Sequence, residues 1–243
     1  MLEKYKEIID EALLKYLDSL PSYTIYDPIK YMVNLGGKRF RSSLTLLAAD
    51  LYGGNPNLAI KEAIAVELFH NFTLVHDDIM DQATLRRGQQ TVHEKWSTND
   101  AILSGDLLYA LVNQILIESK SPNQSIHSVF HKTAIEVCEG QSLDMIFEEK
   151  NEVSEEEYLK MIKLKTAVLV ACALKMGAMV GGATETDAQF LYNFGINLGI
   201  AFQIHDDILD VYPDGEKFGK TQNQRLLDAN KLKGEMFSKQ SNA

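Results

Sequence analysis

Two clusters of acidic residues share the spacing Asp-Asp-x-x-Asp, and both lie in apolar surroundings. The first is Asp77-Asp78-Ile79-Met80-Asp81 and the second is Asp206-Asp207-Ile208-Leu209-Asp210. On a helix, residues four positions apart lie on one face, about 6 Å from each other, so each cluster places like charges side by side. Apolar neighbours reduce the solvation of these carboxylates. Each cluster is therefore unfavourable by itself and is expected to need a cation.

The residue types favour magnesium as that cation. Neither cluster has a nearby cysteine or a pair of histidines, and carboxylate oxygens alone suit Mg²⁺ better than Zn²⁺. Mg²⁺ usually takes one or two carboxylates and fills its other positions with water and substrate phosphate. A calcium-binding EF-hand is excluded, because neither cluster has its glycine or its distal glutamate. A solvated acidic helix face is the alternative for one cluster, but two clusters with identical spacing favour a cage for Mg²⁺ and a diphosphate.

Basic residues lie close to the first acidic cluster along the chain. The segment Gly36–Arg41 (GGKRFR) places three cations beside two glycines at a predicted helix start, where backbone N–H groups favour anions. Arg86-Arg87-Gly88 follows the cluster closely, and His70 lies about 10 Å before Asp77 on nearly the same helical face. Cations after a glycine turn are also common on solvated surfaces, and a lone helix histidine is commonly structural. Taken together with the acidic clusters, the segment predicts phosphate binding.

The elements that must position these residues are helices. Apolar residues recur at intervals of three and four along the chain, and no run of alternating β-branched residues or Asn-Gly hairpin turn is present. Ser154 and Glu157 form a predicted capping box. The fold class is therefore all-α, with long apolar helices that are typical of the centre of a large bundle. The predicted helices cover residues 2–20, 28–35, 40–52, 57–81 with Asn57 as its cap, 100–118, 126–149, 154–180 and 187–211.

The composition narrows the class of protein. The chain has 243 residues, 45% of them hydrophobic, and no Pro- or Ser-rich linker, which predicts one domain. A net charge of −10 disfavours nucleic-acid binding. Two cysteines make no disulfide framework and favour a cytoplasmic setting. The start lacks a signal peptide, and the apolar run 167–182 is too short and, with Lys175, too polar to predict a membrane span.

These motifs resemble those of the trans-isoprenyl diphosphate synthases, also called polyprenyl synthetases. The matching stretches are GGKRFR (36–41), ELFHNFTLVHDDIMDQATLRRG (67–88), Lys165-Thr166 and GIAFQIHDDILD (199–210). The resemblance covers roughly residues 28–220. It implies an all-α isoprenoid-synthase bundle with a deep central cavity, usually a homodimer, of the geranylgeranyl or farnesyl diphosphate synthase type.

The resemblance also implies a role for particular positions. Isopentenyl diphosphate would be held by Lys38, Arg41, His70 and Arg87. The allylic diphosphate would be contacted by Arg86, Lys165, Thr166 and Gln203. Two Mg²⁺ ions would bind Asp77 and Asp81, and a third would bind Asp206. The residues expected to carry catalysis are Asp77, Asp81, Lys165 and Asp206.

Product length in this family depends on bulky side chains just before the first aspartate. Phe72 lies five positions before Asp77 and Thr73 lies four before it. One aromatic residue, rather than two, points to a short product of about C15 to C20, with C20 favoured. We therefore expect Phe72 to form the floor of the cavity into which the product grows.

Two other functions remain open from the sequence. A class I terpene cyclase would share the fold and the first cluster, but it would not need the 36–41 segment and His70, and its second motif generally differs from Asp206-Asp207-x-x-Asp210. A non-catalytic subunit of a prenyl synthase is suggested by the short tail, which lacks the second Gly-Lys-x-Thr of the family after Lys220. That tail predicts a C-terminal part that is naturally short or incomplete. The complete set of Asp, Arg and Lys residues favours an active synthase.

Overall fold

The computed structural model describes residues 2–53, 55–119 and 125–211, with the side chains of residues 210 and 211 left out. The features predicted for the tail beyond residue 211 lie outside the described residues. Every predicted helix is present within this range. The helices are α1 (Leu2–Asp18), α2 (Asp27–Asn34), α3 (Phe40–Leu51), α4 (Ile60–Met80), α5 (Val92–Lys95), α6 (Thr98–Ile117), α7 (Ser125–Glu149), α8 (Glu155–Ile162), α9 (Val168–Gly181) and α10 (Glu185–Val211).

Two helical predictions need correction in their details. Asn57 does not cap α4, because a 3-10 turn, Pro56–Ala59, precedes the helix, and the Asn55 side chain accepts the Asn57 N–H at 3.0 Å instead. The helix predicted over residues 154–180 is divided into α8, a π-helical segment (Lys163–Ala167) and α9. The capping box of Ser154 and Glu157 is confirmed. A π-helical turn inside an α-helical stretch is frequently found at a functional site.

A short hairpin that the sequence did not predict lies among the helices. Leu85–Arg86 (β1) pairs with Gln89–Gln90 (β2) as an antiparallel hairpin. The connecting residues Arg87 and Gly88 have φ values of 53° and 76°, which are typical of a type I′ turn. Arginine is not a usual residue for this turn, so the sequence carries no hairpin signal. Contacts from elsewhere hold it, including the hydroxyl of Tyr31, which donates to the Gln90 carbonyl at 2.7 Å.

The chain divides into two compact units. The first comprises Met1–Phe130 and Cys172–Tyr192. Its centre is α4, which packs against α3 and α6. The buried residues of α4 surround the helix axis, as expected for a core helix. Gly105 of α6 allows the close approach, because a Cβ there would overlap the His76 ring of α4.

The second unit comprises His131–Ala171 and Asn193–Ala243. Glycines bring its helices close to the π-helical segment. A Cβ at Gly140 of α7 would overlap the backbone of Lys165, and a Cβ at Gly199 of α10 would lie 2.5 Å from the Cα of Ala167. These contacts fix the π-helical segment between α7 and α10. The prediction of a single domain remains a prediction.

Two helical stretches have the length and hydropathy of a membrane span, Thr98–Ile117 and Glu155–Gly181. Of their most apolar windows, 44% and 78% are buried inside the protein, respectively. Burial of this kind is found in core helices, so these stretches are weak evidence for a span.

Candidate active site

The first acidic cluster lies at the end of α4, and its three aspartates do not share one environment. Asp81 occupies the C-cap position, where its N–H bonds to the Asp77 carbonyl at 2.8 Å. The Asp77 side chain is 20% exposed, whereas that of Asp78 is 1% exposed. The helical period therefore turns Asp77 and Asp81 toward one face and Asp78 into the protein.

Asp78 forms an ion pair with Arg86 of β1. The Arg86 Nε lies 2.8 and 2.9 Å from the two carboxylate oxygens, and its Nη2 lies 2.7 Å from Oδ1. Burial raises the pKa of Asp78 above its usual value, although the Arg86 guanidinium opposes this effect. Arg86 also lies 4.0 Å from Asp77. The sequence singled out Arg86 but gave no sign that Asp78 would be its partner.

The remaining pair, Asp77 and Asp81, fits a magnesium ion that is shared with a substrate. No group of three or more histidine, cysteine or carboxylate side chains forms a ready-made metal site within residues 2–53, 55–119 and 125–211. Mg²⁺ does not need such a group, because it commonly takes one or two carboxylates and completes its shell with water and phosphate. The donors on this face of α4 are therefore of the right type and number for Mg²⁺.

Two of the predicted anion-binding residues of the first unit, Arg41 and Arg87, lie near a third, His70. Arg41 Nη1 lies 3.3 Å from His70 Nε2. Arg87 donates to the carbonyl of Gly36 and packs against Gly37, where a Cβ would lie 2.9 Å from Arg87 Nη2. Gly37 has a φ of 147°, in the region that favours glycine. Helix α3 and the hairpin thus contribute the cations Arg41 and Arg87, and α4 contributes His70.

Charge and burial set the protonation of this cationic cluster. Burial, followed by the guanidiniums of Arg41, Arg87, Arg86 and Arg39, lowers the pKa of His70 well below its usual value. His70 is therefore neutral at pH 7, so that its Nε2 can accept from Arg41. Burial and the neighbouring Arg39 and Arg86 also lower the pKa of Arg87. Crowded cations of this kind are costly alone and are stabilised by a bound anion.

Arg39 differs from the other two cations of the 36–41 segment, because it is buried. Its side chain is 4% exposed and lies 2.9 Å from both Asp10 and Glu67. Burial alone would lower the pKa of Arg39, but Glu67 and Asp10 raise it. Its backbone is left-handed, with a φ of 49°. Lys38, in contrast, is exposed. Arg39 thus anchors the segment, which leaves Lys38 and Arg41 to meet a ligand.

Aromatic side chains surround Phe72, one turn before the first aspartate. Its ring centroid lies 4.8 Å from His76, 5.4 Å from Phe69 and 5.5 Å from Tyr109 of α6. The Thr73 hydroxyl donates to the His70 carbonyl at 2.8 Å, so it is engaged by its own helix. The sequence predicted Phe72 but missed Tyr109, because only the packing of α6 on α4 brings it near.

In the second unit, the predicted residues Thr166 and Gln203 are in contact. The Thr166 hydroxyl donates to Gln203 Oε1 at 2.9 Å, and Gln203 Nε2 donates to Asp207 at 3.1 Å. Tyr158 of α8 also donates to Asp207, and burial, together with this hydrogen bond, raises the pKa of Tyr158. Asp207 is therefore held by two donors, while the neighbouring Asp206 is exposed. The Asp210 side chain lies outside the described residues.

Lys165, also predicted, lies in the π-helical segment and forms an ion pair with Asp144 of α7. The Nζ–Oδ2 distance is 2.7 Å, and both side chains are partly exposed. Sequence reasoning missed Asp144 and Tyr158. Asp144 lies four residues after Gly140 on α7, and Gly140 packs against the backbone of Lys165. The sequence does not reveal this contact, so it could not indicate that Asp144 lies near Lys165.

Comparison with known proteins identifies the family of this chain. Residues 22–230 match the polyprenyl synthetase family. The chain belongs to the polyprenyl synthetase family. A geranylgeranyl diphosphate synthase from Methanosarcina mazei is 43% identical over 225 residues, which are 90% of this chain and 69% of that protein. A short chain isoprenyl diphosphate synthase from Methanothermobacter thermautotrophicus is 41% identical over 90% of this chain and 68% of its own length.

Solved structures of polyprenyl synthetases confirm the predicted fold. A crystal structure of geranylgeranyl pyrophosphate synthase has a TM-score of 0.89 and 46% identity, covering 96% of this chain and 71% of that one. The geranylgeranyl pyrophosphate synthetase from Pyrococcus horikoshii has a TM-score of 0.84 and 38% identity, covering 90% and 68%. The all-α isoprenoid-synthase fold is thereby confirmed for this polyprenyl synthetase.

Proposed function

We propose that this polyprenyl synthetase condenses isopentenyl diphosphate with an allylic diphosphate, giving pyrophosphate and a short all-trans product, C20 rather than C15. The observation that carries this proposal is the presence of two candidate anion sites along α4. The carboxylates Asp77 and Asp81 suit a metal-bound diphosphate, while the cations around His70 suit a second anion. A reaction with two diphosphate substrates needs both sites.

The predicted enzyme class is confirmed by relatives named geranylgeranyl diphosphate synthase. These names also support C20 as the product length. Neither a terpene cyclase nor a regulatory subunit gains support from these relatives. The class of the protein is trans-prenyltransferase.

Within the first unit, we propose a division of labour among the cations. Isopentenyl diphosphate would be held by Lys38, Arg41, His70 and Arg87. Arg86, which remains 23% exposed while paired with Asp78, would contact the allylic diphosphate. In the second unit, the same ligand would be contacted by Lys165, Thr166 and Gln203. The proposed metal ligands are Asp77 and Asp81 for two Mg²⁺ ions and Asp206 for a third.

These assignments give the chain's residues definite tasks in catalysis. When bound, Mg²⁺ would neutralise the negative charge that develops on the departing pyrophosphate. The guanidinium of Arg86 would donate to the same oxygens, and preorganised donors of this kind commonly make the greatest contribution to rate enhancement. Arg41 and Arg87 would orient isopentenyl diphosphate so that its double bond attacks the allylic carbon. A proton is then lost from the new chain, by family analogy to the pyrophosphate.

A direct assay tests the proposal. The chain is incubated with Mg²⁺, labelled isopentenyl diphosphate and, separately, dimethylallyl, geranyl or farnesyl diphosphate, and the dephosphorylated products are sized. Elongation that ends at C20 supports the proposal. A cyclic hydrocarbon would indicate a cyclase, and turnover that needs an added active synthase would indicate a regulatory subunit.

Replacing Gly37 by alanine is expected to raise the KM for isopentenyl diphosphate about tenfold, because small misplacements of binding groups are costly. The new Cβ would lie 2.9 Å from Arg87 Nη2 and would displace the guanidinium. Steady-state kinetics measure the effect. Gly36→Ala is the control, since it also places an alanine at a positive φ, 74°, while its Cβ meets no atom within 4 Å. Equal KM values for both variants would contradict the proposed contact.

Replacing Phe72 by alanine is expected to lengthen the main product by one or more isoprene units. The substitution would open space beside His76 and Tyr109, which the Phe72 ring now fills. Sizing of labelled products measures the change. Phe190→Ala removes an aromatic ring that is 67% exposed, and it should leave product length unchanged. Products of the Phe72 variant that are no longer than those of wild type would show that Phe72 is not the floor. The role of Thr73 stays a prediction.

We further propose that the enzyme is a cytoplasmic homodimer. Helix α6 exposes Ile102 and Leu103, at 42% and 53% of their surfaces, which supports an apolar contact with a second copy. Both cysteines are free, in keeping with a reducing compartment. Light scattering that gives the mass of a single chain at micromolar concentration would rule out the dimer.

A further inference from the structure

The middle aspartate of the first cluster differs from its two neighbours in exposure and in partners. The Asp78 side chain is 1% exposed, and both of its carboxylate oxygens face the Arg86 guanidinium. Asp77, one residue earlier, is 20% exposed and lies 4.0 Å from the same guanidinium. Because the Asp78 carboxylate is buried and both of its oxygens are paired with Arg86, it is poorly placed to coordinate a metal ion.

The geometry of the pair leaves part of Arg86 available to a ligand. A guanidinium has five N–H donors in a rigid plane. Nε donates to both Asp78 oxygens, and Nη2 lies 2.7 Å from Oδ1. The two N–H groups of Nη1 lie at the opposite edge of the planar group. Because the plane is rigid, fixing one side also fixes the direction of the other.

Hydrogen bonds to the backbone fix the position of the hairpin relative to Asp78. The Ala83 N–H donates to the Asp78 carbonyl at 3.0 Å, and the buried Thr91 hydroxyl donates to the Ala83 carbonyl at 2.7 Å. The Thr91 N–H donates in turn to the Thr84 carbonyl at 3.1 Å. These bonds link the end of α4 to both ends of the hairpin. The carboxylate and the Cα of Arg86 are therefore both anchored, and the arginine has little rotational freedom left to lose when a ligand binds.

We propose that Asp78 is a positioning residue that holds the Arg86 guanidinium ready for the allylic diphosphate. The proposal rests on the proposed function, in which Arg86 contacts that substrate. It gives the buried position of the motif a task that acts through the arginine, beside the partly exposed Asp77 and Asp81 already proposed as metal ligands.

Binding measurements separate these roles without the need for turnover. Calorimetry is performed with the unreactive sulfur-bridged analogue of geranyl diphosphate at several Mg²⁺ concentrations. Asp78→Asn should weaken analogue binding about tenfold, as expected for the loss of a hydrogen-bonded charge, and leave the Mg²⁺ requirement within twofold of wild type. Asp81→Asn, the matched control, should raise the Mg²⁺ requirement strongly. A similar rise for Asp78→Asn would overturn the proposal.

A double-mutant cycle tests whether Asp78 acts through Arg86. In an Arg86→Gln background, Asp78→Asn should cause no further weakening of analogue binding, because there is no guanidinium left to orient. A full tenfold loss in that background would contradict the proposal. If wild type itself fails to bind the analogue, the proposed function fails instead.

A third measurement does not depend on whether the variants fold. Wild-type crystals soaked in Mn²⁺ and inorganic pyrophosphate are examined by anomalous scattering. Manganese at Asp77 or Asp81, with Asp78 still paired to Arg86, supports the proposal. Manganese bonded to an Asp78 oxygen would overturn it.

Discussion

Asp81→Asn is expected to lower kcat about a thousandfold, the magnitude typical of losing a principal electrostatic group in catalysis. Asp81 ends α4 beside Asp77, and we propose that these two carboxylates hold the Mg²⁺ that neutralises the leaving pyrophosphate. Asparagine keeps the shape of the side chain but removes the charge that binds the metal. Turnover with saturating isopentenyl and geranyl diphosphates measures the loss.

The same variant should be slightly more stable than wild type when no metal is present. Asp77 and Asp81 are like charges four residues apart, near a helix C-terminus where negative charge is unfavourable. Removing one of them is expected to stabilise the metal-free protein by about 0.5 kcal/mol. Wild type should gain thermal stability from Mg²⁺ with pyrophosphate, and the variant should not.

Asp18→Asn is the matched control for this prediction. It removes the same charge from the C-terminal end of α1, away from the candidate site. It should leave both kcat and the stabilisation by Mg²⁺ unchanged. If Asp81→Asn retains a tenth or more of wild-type turnover at ordinary Mg²⁺ concentrations, Asp81 is not a required metal ligand.

Glu67→Ala is expected to lower the free energy of unfolding by about 3 to 5 kcal/mol, because it leaves a buried cation without its main partner. The Arg39 Nη1 lies 2.9 Å from Glu67, and each side chain is 4% exposed. The Ser42 hydroxyl, which donates to the other Glu67 oxygen at 2.8 Å, would also lose this acceptor and keep only the Arg39 carbonyl at 3.0 Å. Denaturant unfolding, read by circular dichroism, measures the change.

Two comparison variants show whether the effect comes from the unpaired charge. Asp10→Ala removes the other partner of Arg39, but the Asp10 side chain is 33% exposed, so a cost of about 1 kcal/mol is expected. The double variant Arg39→Met with Glu67→Leu replaces the buried ion pair by apolar groups and should recover most of the lost stability. A loss in the double variant as large as in Glu67→Ala would show that packing, rather than charge, determines the result.

The Glu67 variant should also weaken the binding of isopentenyl diphosphate. Arg39 anchors the 36–41 segment in a left-handed backbone conformation next to Gly37, which packs against Arg87. When this anchor is loosened, Lys38 and Arg41 lose their fixed positions. Stability and the proposed substrate binding would thus be linked at one loop.

Much of the fold and of the candidate site follows from the sequence. Each predicted helix is present, because a helix depends on the spacing of apolar residues along a short stretch of chain, which the sequence contains in full. The metal class and the family follow from the Asp-Asp-x-x-Asp spacing and the neighbouring cations for the same reason. Helical geometry alone places Asp77 and Asp81 on one face.

The tertiary structure decided which members of these motifs face a ligand. Asp78 and Arg39 look like their neighbours in the sequence, yet each is buried against a partner. Asp78 pairs with Arg86, and Arg39 pairs with Glu67, which lies 28 positions away along the chain. The contact of Tyr31 with the hairpin at 85–90 and the contact of Lys165 with Asp144 also join residues far apart along the chain. Local spacing determines what a segment can form, but burial determines which charges are neutralised inside the protein. Burial arises only when separate segments pack together.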